Sequence, residues 1–481
     1  MTAPAAAAQP AIVVPARTAE LFAPGLRGLT VGLIATITLV ALESLAIGTV
    51  LPLVGEELGQ IELYGWVYSS FFLGSLLGIV VAGGALDRMA LWKPFAVGLA
   101  LFAIGLLIGG LAPSMPILVG ARFIQGLGGG AVGPTAYVAI GRTLPDRLQP
   151  RMFALLSTAW VVPGVVGPSI AAIVGEFTTW RLVFLGLIPF LAVAGGLAVS
   201  ALRRIPDAAP PEEHAAAAAT IRRLPNALLV AAGAGLLIAS LTAQDLRLIV
   251  VGGLIGLALL LPAFRRLTPP GTLSLAAGVP AAVLLRGLMT FAFFSGDAYI
   301  PLLLQTWRGT PATLTGLVFT GTTIAWTVAT WLQARRIEIW GPHRFVALGF
   351  ACVAVGSLIT IPAVLPGFPA ELTILTWLLP GLGMGFMFSA VTLVVLRGSA
   401  PAEQGAASSA LQLSDILGTA LGAGVAGAIT AFGTRQGGDA LGWALAAVFA
   451  LSSIAAGLGV IASRRIRPIK HVRSTLGAAV D

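Results

Sequence analysis

The stretch 29-LTVGLIATITLVALESLAIGTVLPL-53 holds one charged side chain, Glu43, and shows no alternation of polar and apolar residues. At 1.5 Å per residue a helix of this length reaches about 37 Å, enough to cross roughly 30 Å of hydrocarbon. Lipid offers no partners for backbone N–H and C=O groups, so a spanning segment is either a helix or a strand of a closed barrel. Barrel strands alternate at period two, and this stretch does not, so it reads as a transmembrane helix. Thirteen similar stretches follow, at 65–86, 94–113, 116–140, 153–175, 180–202, 225–243, 246–264, 278–304, 312–333, 345–366, 371–396, 405–431 and 441–463. The mean hydropathy of +0.96 lies far above that of a soluble chain. The expectation is an all-α integral membrane protein with 14 transmembrane helices.

The connecting segments alternate between Arg-rich and Arg-poor without a break in phase. Of 28 Lys and Arg residues, 22 fall on the side that carries both termini. The other side receives Arg181, Arg247, Arg308 and Arg435, while Arg122 and Arg286 lie inside helices. Cations in short loops mark the cytoplasmic face, which places both termini in the cytoplasm. The net charge of +9 is thus a topology signal. Basic residues scattered a few per loop make no continuous footprint, so no nucleic-acid partner is expected.

Residues 1–28, rich in Ala and Pro, read as a disordered cytosolic tail, and residues 464–481 as a basic cytosolic tail flanking membrane lipids. Cys352 is the sole cysteine, and His214, His343 and His471 fall in loops or the tail, so no metal site or thiolate cluster is expected. There is no GxxxxGK[ST] loop, and Lys93 and Lys470 are the only lysines. A phosphate-cradling site is therefore not expected, and no cofactor is implied. Abundant Arg, Ala and Gly suggest a GC-rich bacterial gene, hence the plasma membrane of a bacterium.

The segment Arg203–Pro225, with Pro206, Pro210, Pro211, Glu212 and Glu213, reads as a solvated connector. It leaves six helices before it and eight after. A second Pro- and Gly-rich break at 265–280 sets off helices 7 and 8 as an inserted hairpin. The expected plan is an N-terminal six-helix bundle over 29–202, a connector with hairpin over 203–277, and a C-terminal six-helix bundle over 278–463. A basic turn recurs after the second helix of each bundle, Leu86-Asp87-Arg88-Met89-Ala90-Leu91-Trp92-Lys93-Pro94 and Ala334-Arg335-Arg336-Ile337-Glu338-Ile339-Trp340-Gly341-Pro342. Paired bundles are a common plan of secondary transporters.

At these residues the chain resembles the major facilitator superfamily, in its fourteen-helix branch of drug:proton antiporters. Gly83, Asp87 and Arg88 match the family's signature between helices 2 and 3, with Lys93 supplying a cation one place late; Ala90, Leu91 and Trp92 depart from it. The resemblance implies that Asp87 closes a cytoplasmic gate by facing the start of helix 13 near Gln404–Ser408, where exposed N–H groups and the helix dipole favour an anion. In helix 4, Arg122 and Gly126 resemble the family's arginine and glycine motif. In helix 5, Pro163, Gly164, Gly167 and Pro168 resemble the motif of exporters, although Ala171 and Ala172 replace a glycine pair. Apart from direction of transport, two prolines kink that helix and its glycines allow close packing.

Five ionisable side chains lie well inside helices, and each is a functional hypothesis because hydrocarbon penalises charge. Glu43 lies about ten residues from the outer end of helix 1 and Arg122 about seven from that of helix 4, a difference of about 4.5 Å in depth. They are expected to pair. A carboxyl group set between burial and a cation suits proton coupling, the alternative being a static pair. Asp297, with Phe294 and Tyr299 beside it on helix 9, is the candidate for a cationic substrate; the alternative is a solvated helix end. Arg286 and Asp415 lie at similar depth, as a structural pair or with Asp415 in coupling. Trp160, Trp326 and Trp377 fall mid-helix, where aromatic faces stack on a flat or cationic substrate or simply pack. Gln125 and Gln412 are further hydrogen-bonding candidates.

The resemblance thus implies a proton-coupled efflux antiporter of small lipophilic or cationic compounds, driven by the proton gradient and acting as a monomer. Export of an endogenous lipid or metabolite is the second reading. A membrane-embedded enzyme is the third, disfavoured because carboxylates at mixed depths do not cluster into a catalytic site.

Overall fold

The computed structural model describes residues 18–86, 89–145, 147–205, 214–400 and 403–466. Fourteen helices among them are long and apolar enough to cross a membrane. They are α1 (Arg27–Leu58), α2 (Ile61–Gly83), α3 (Trp92–Gly110), α4 (Met115–Thr143), α5 (Arg151–Phe177), α6 (Arg181–Leu202) and α7 (Leu224–Thr242). They continue with α8 (Leu246–Leu267), α9 (Val279–Trp307), α10 (Ala312–Trp340), α11 (Pro342–Val364), α12 (Leu372–Gly398), α13 (Ala406–Gln436) and α14 (Ala440–Arg465). No strand occurs among the described residues. The protein is an all-helical, multi-pass membrane protein.

Local sequence explains several helix ends. Proline occupies the first turn of α4 and α11, where its missing N–H would have had no partner. Gly341 breaks α10 from α11 with φ 77°, a left-handed conformation that costs other residues a clash at Cβ. Gly186 divides α6 into Arg181–Leu185 and Leu187–Leu202. Beyond Asp297, α9 ends in a π-helical turn, Leu302–Trp307, three residues past the expected end.

Two expected loops are more ordered than their composition suggested. The helix containing α7 begins at His214, inside the expected connector, because the alanine run that follows has the highest helix propensity. The expected disordered tail 1–28 is ordered from Thr18: Thr18–Phe22 forms a 3-10 turn with Leu21 fully buried. Arg147 pairs with Glu20 at 2.6 Å and Arg151 donates to Thr18 Oγ1 at 2.9 Å, so the tail docks on the α4–α5 loop. At the other end Ser463–Arg465 forms a 3-10 turn, and Arg465 accepts a bond from the Gly278 N–H.

The helices pack as two six-helix bundles with the same internal pattern. In the first, α1 packs on α5 and α6, α2 on α4, and α3 on α4 and α6. In the second, α9 packs on α13 and α14, α10 on α12, and α11 on α12 and α14, so every pairing recurs eight helices later. The bundles meet along two seams, α2 against α13 and α5 against α10. The α7–α8 hairpin lies over the first seam, with α7 touching both α2 and α13. Its buried residues, including Ala227, Val230, Ala234 and Leu260, form one apolar cluster with Leu73, Leu76, Leu413 and Leu417.

Candidate functional site: buried ion pairs between two seams

Glu43 on α1 and Arg122 on α4 form an ion pair at 1% and 2% exposure. Arg122 Nη1 also donates to Gln125 Oε1 at 2.6 Å, and Nε to the Val67 carbonyl of α2 at 3.3 Å. The guanidinium lies 4.3 Å from the centre of the Phe71 ring. Val67 and Phe71 are one turn apart, so a single face of α2 holds the cation. Glu43 Oε2 and Gln125 Nε2 are buried without partners. An ion pair removed from water rarely stabilises a fold, and an unpartnered carboxylate oxygen adds cost. This arrangement is one that a static scaffold has little reason to keep.

The second bundle holds its own pair. Arg286 Nε of α9 meets Asp415 Oδ1 of α13 at 2.8 Å, and Nη1 donates to the Phe388 carbonyl at 3.0 Å and Thr392 Oγ1 at 3.2 Å. Its guanidinium sits 3.3 Å from the Phe388 ring centre. Asp415 is 27% exposed against 6% for Arg286, so the carboxylate is the accessible partner. Asp297, half-buried at the end of the α-helical part of α9, accepts from Trp377 Nε1 at 2.9 Å. From Trp377 a run of rings leads toward Arg286: Phe293 stands 6.2 Å from Trp377 and 5.9 Å from Trp326, and Trp326 lies 5.6 Å from Phe388, the ring against the guanidinium. A carboxylate with the half-buried Phe294 one turn before it on α9 suits a lipophilic cation.

Both seams are closed from the Arg-poor ends to mid-helix. On α2 and α13, a Cβ placed on Gly65 would lie 2.7 Å from Gly427 Cα and 2.6 Å from Tyr299 Oη, so the backbones touch because neither residue has a side chain. Tyr64 packs on Tyr299 at 5.3 Å, Tyr299 Oη donates to the Ala423 carbonyl at 2.9 Å, and Ser69 Oγ donates to that of Ala420 at 2.9 Å. Phe72 and Phe294 meet lower down at 6.3 Å. Between α9 and α1, Gln305 Nε2 donates to the Thr49 carbonyl at 2.8 Å. On α5 and α10, Thr320 Oγ1 donates to Val165 O at 2.7 Å, and a Cβ on Gly164 would lie 2.5 Å from Thr323 Cγ2. Toward the Arg-rich ends an apolar cleft of about 150 Å³ lies where α2, α13 and the end of α8 meet, lined by Leu76, Val80, Gly83, Leu267, Leu413 and Ile416.

The structure therefore joins Glu43, Arg122 and Gln125, and separately Arg286 and Asp415. Trp377 is fully buried in the second bundle, and its contact with Asp297 fills part of the carboxylate's bonding capacity. Phe294 is half-buried one turn from that group, and Trp326 is half-buried between Phe293 and Phe388. Tyr299 is fully buried and engaged in the seam rather than open to a ligand. Trp160 is 48% exposed on α5, and Gln412 is exposed one turn before Asp415 on α13. Pro163, Gly164, Gly167 and Pro168 place α5 against α10 and α1: Gly167 faces Leu42, and Gly316 faces Ser169 and the Pro168 carbonyl. Lys93 is exposed beside Trp92. Asp87 and Arg88 lie outside the described residues. Sequence reading did not single out Tyr64, Tyr68, Gly65, Gly427 or Gln305. The available signal was the scarcity of tyrosine: of four in the chain, Tyr64, Tyr68 and Tyr299 gather at one seam.

Comparison with known proteins follows the fold. The Major Facilitator Superfamily model matches residues 32–335. A probable multidrug-efflux transporter of Mycobacterium tuberculosis is 27% identical over 428 residues, covering 86% of this chain and 89% of the relative. The multidrug efflux pump SdrM of Staphylococcus aureus is 22% identical over 431 residues, covering 88% and 94%. Among solved structures, the D-xylose-proton symporter superposes with TM-score 0.63 at 13% identity over 92% of this chain and 99% of the other. The POT family transporter PepTSo gives 0.66 at 14% over 91% and 98%. At those identities the solved structures speak for the fold alone.

Proposed function

This chain belongs to the Major Facilitator Superfamily and is a membrane transport protein rather than an enzyme, and on that premise we propose that it is a proton-coupled antiporter that exports small lipophilic or cationic compounds. The observation that carries the reading is the fully buried Glu43–Arg122 pair with its unpartnered carboxylate oxygen. A proton arriving at Glu43 cancels one charge of the pair, and Arg122 remains held by Gln125, Val67 and Phe71. The site can thus take and release a proton without losing its architecture. The multidrug-efflux relatives support the substrate class.

In this mechanism the closed Arg-poor seams face the exterior and the cleft faces the cytoplasm, as the distribution of cations suggests. Substrate enters from the cytoplasmic side and settles by Asp297, where Phe294 offers an aromatic face and the carboxylate offers charge. Asp415, the exposed member of its pair, serves as a second group whose neutralisation frees Arg286. Loading opens the outer seams, substrate leaves, and a proton binding Glu43 returns the carrier. Gly83 lies at the cytoplasmic end of α2, in the cleft it shares with Leu413 and Ile416. Energy comes from the proton gradient across a bacterial plasma membrane.

The test is proton flux by purified protein in proteoliposomes under an imposed pH gradient, on adding a panel of lipophilic cations, with Glu43→Gln alongside. Substrate-dependent flux that the substitution abolishes supports the antiporter. Flux with no cation, but with an extracted lipid or metabolite, moves the assignment to endogenous export; flux unchanged by Glu43→Gln removes Glu43 from the mechanism.

A further inference from the structure

The first bundle is built from two sub-blocks, and the buried ion pair joins them. One block is α2, α3 and α4. Glycines press its helices together: a Cβ on Gly74 would lie 2.3 Å from the Phe123 carbonyl, on Gly78 2.2 Å from that of Leu127, and on Gly126 2.1 Å from that of Phe71. Carbonyl oxygens cannot yield as flexible side chains do, so α2 and α4 move as one piece. The other block is α1, α5 and α6, in which α1 packs along both partners and only slightly on α4. Direct packing between the blocks runs chiefly through α3 and α6, where Gly109 and Gly110 meet Phe184 and Leu185 near the Arg-poor end.

Each block carries one seam. Gly65, Ser69 and Phe72 recur at helical spacing on α2 and face the second bundle. Val67 and Phe71, on the opposite face of α2, hold Arg122. The α2–α13 seam therefore belongs to the block that contains Arg122. The α5–α10 seam, with Val165, Ser169 and Thr320, belongs to the block that contains Glu43.

We propose that Arg122 is a positioning residue that clamps the two blocks together through charged Glu43, so that the α2–α13 and α5–α10 seams open as one, and that neutral Glu43 releases the clamp and lets them part separately. The inference rests on Glu43 being the proton site and deepens that reading by assigning what the proton changes. Among the described residues, Arg122 is the charged group that meets Glu43 directly. Tyr68 of α2 lies within electrostatic reach of Arg122 and of Asp297 on α9. Arg286 is occupied by Asp415, and the charges of α5, α6 and α10 sit at helix ends, at Arg151, Glu176, Arg181 and from Arg335 onward. No other mid-membrane charge on the elements around α1 replaces Glu43 as the strap.

The test perturbs one seam and reads the other in the full chain, with Cys352→Ser and spin-label pairs measured in lipid nanodiscs. Glu62→Cys with Gln436→Cys reports the α2–α13 seam, and Thr178→Cys with Thr313→Cys the α5–α10 seam. Gly65→Ala forces the first seam apart. With Glu43 charged, the ratio of long to short distances is expected to rise about fivefold or more at both pairs. With Glu43→Gln, the α2–α13 pair still lengthens while the α5–α10 pair stays within about twofold of its starting ratio. An α5–α10 response that is the same in both backgrounds, present or absent, overturns the clamp. If Glu43→Gln does not fold, Arg122→Gln removes the other half of the clamp and is expected to uncouple the seams in the same way. Proton flux is measured separately. Seams that uncouple in a chain without substrate-driven flux keep the clamp and remove the antiporter, and seams that never uncouple in a chain with flux remove the clamp alone.

Discussion

Gly65→Ala tests the closed outer seam most directly. The added Cβ would lie 2.7 Å from Gly427 Cα, 2.6 Å from Tyr299 Oη and 2.9 Å from the Ala423 carbonyl. Ordinary carbon contacts lie at about 3.5–4.0 Å, so the overlap is about 1 Å. Two of the three obstacles are backbone, and Tyr299 is itself anchored to Ala423, so no side chain can swing away. Either the chain stores overpacking strain of about 1–3 kcal/mol or α2 withdraws from α13. Withdrawal relieves the strain, which shifts the open-to-closed ratio of this seam by about 5- to 150-fold. Thr430, 2% exposed one turn from Gly427, is a suitable reporter. In a Cys352→Ser chain, Thr430→Cys is expected to react with a membrane-impermeant maleimide from outside faster by that factor when Gly65→Ala is present. The two seam states must interconvert faster than labelling, which a maleimide concentration series verifies. A rate raised by less than about twofold would refute the claim that this backbone contact holds the seam shut.

Three further outcomes follow from the same geometry. Glu43→Gln should abolish proton-driven transport and cost about 3–5 kcal/mol of stability, because the buried Arg122 charge loses its counter-ion although Gln125, Val67 and Phe71 keep hold of it; thermal unfolding in detergent beside the flux assay checks both halves. Asp297→Asn retains an acceptor for Trp377 but loses the charge, so binding of cationic substrates should weaken about tenfold more than that of neutral ones, and equal losses in a fluorescence binding titration would remove its charge-recognition role. Arg308 donates to the carbonyls of Ala363, Leu365, Pro366 and Phe368 at 2.6–3.3 Å, so Arg308→Ala should lower stability by about 2–4 kcal/mol without changing substrate preference, as read by thermal unfolding and a substrate panel.

Hydrocarbon is an exacting solvent, and for that reason much of this protein is legible in one dimension. The run around Glu43 had to be a helix because no other open structure satisfies its backbone in lipid, and the same argument applied fourteen times located every span. The cost of charge in lipid singled out Glu43, Arg122, Arg286, Asp297 and Asp415, and counting residues from helix ends was enough to match Glu43 with Arg122 and Arg286 with Asp415 in depth. Order in short polar segments was less visible. Thr18–Phe22 is held by Arg147 of the distant α4–α5 loop and Arg151 at the start of α5, and composition has no access to such partners.

Which face each helix presents to which neighbour was decided only in three dimensions. Inside a bundle nearly every position is apolar, so periodicity does not distinguish lipid from core, and the contacts depend on small differences in shape. Gly65 against Gly427, Gln305 on the Thr49 carbonyl, and Tyr299 committed to the seam rather than to a ligand all arise between residues more than a hundred positions apart. Sequence alone determined that the chain crosses the membrane fourteen times, with its charges at particular depths, because solvent transfer acts on each residue independently. Tertiary structure decided that α2 stands between Arg122 and the second bundle, because packing acts on pairs.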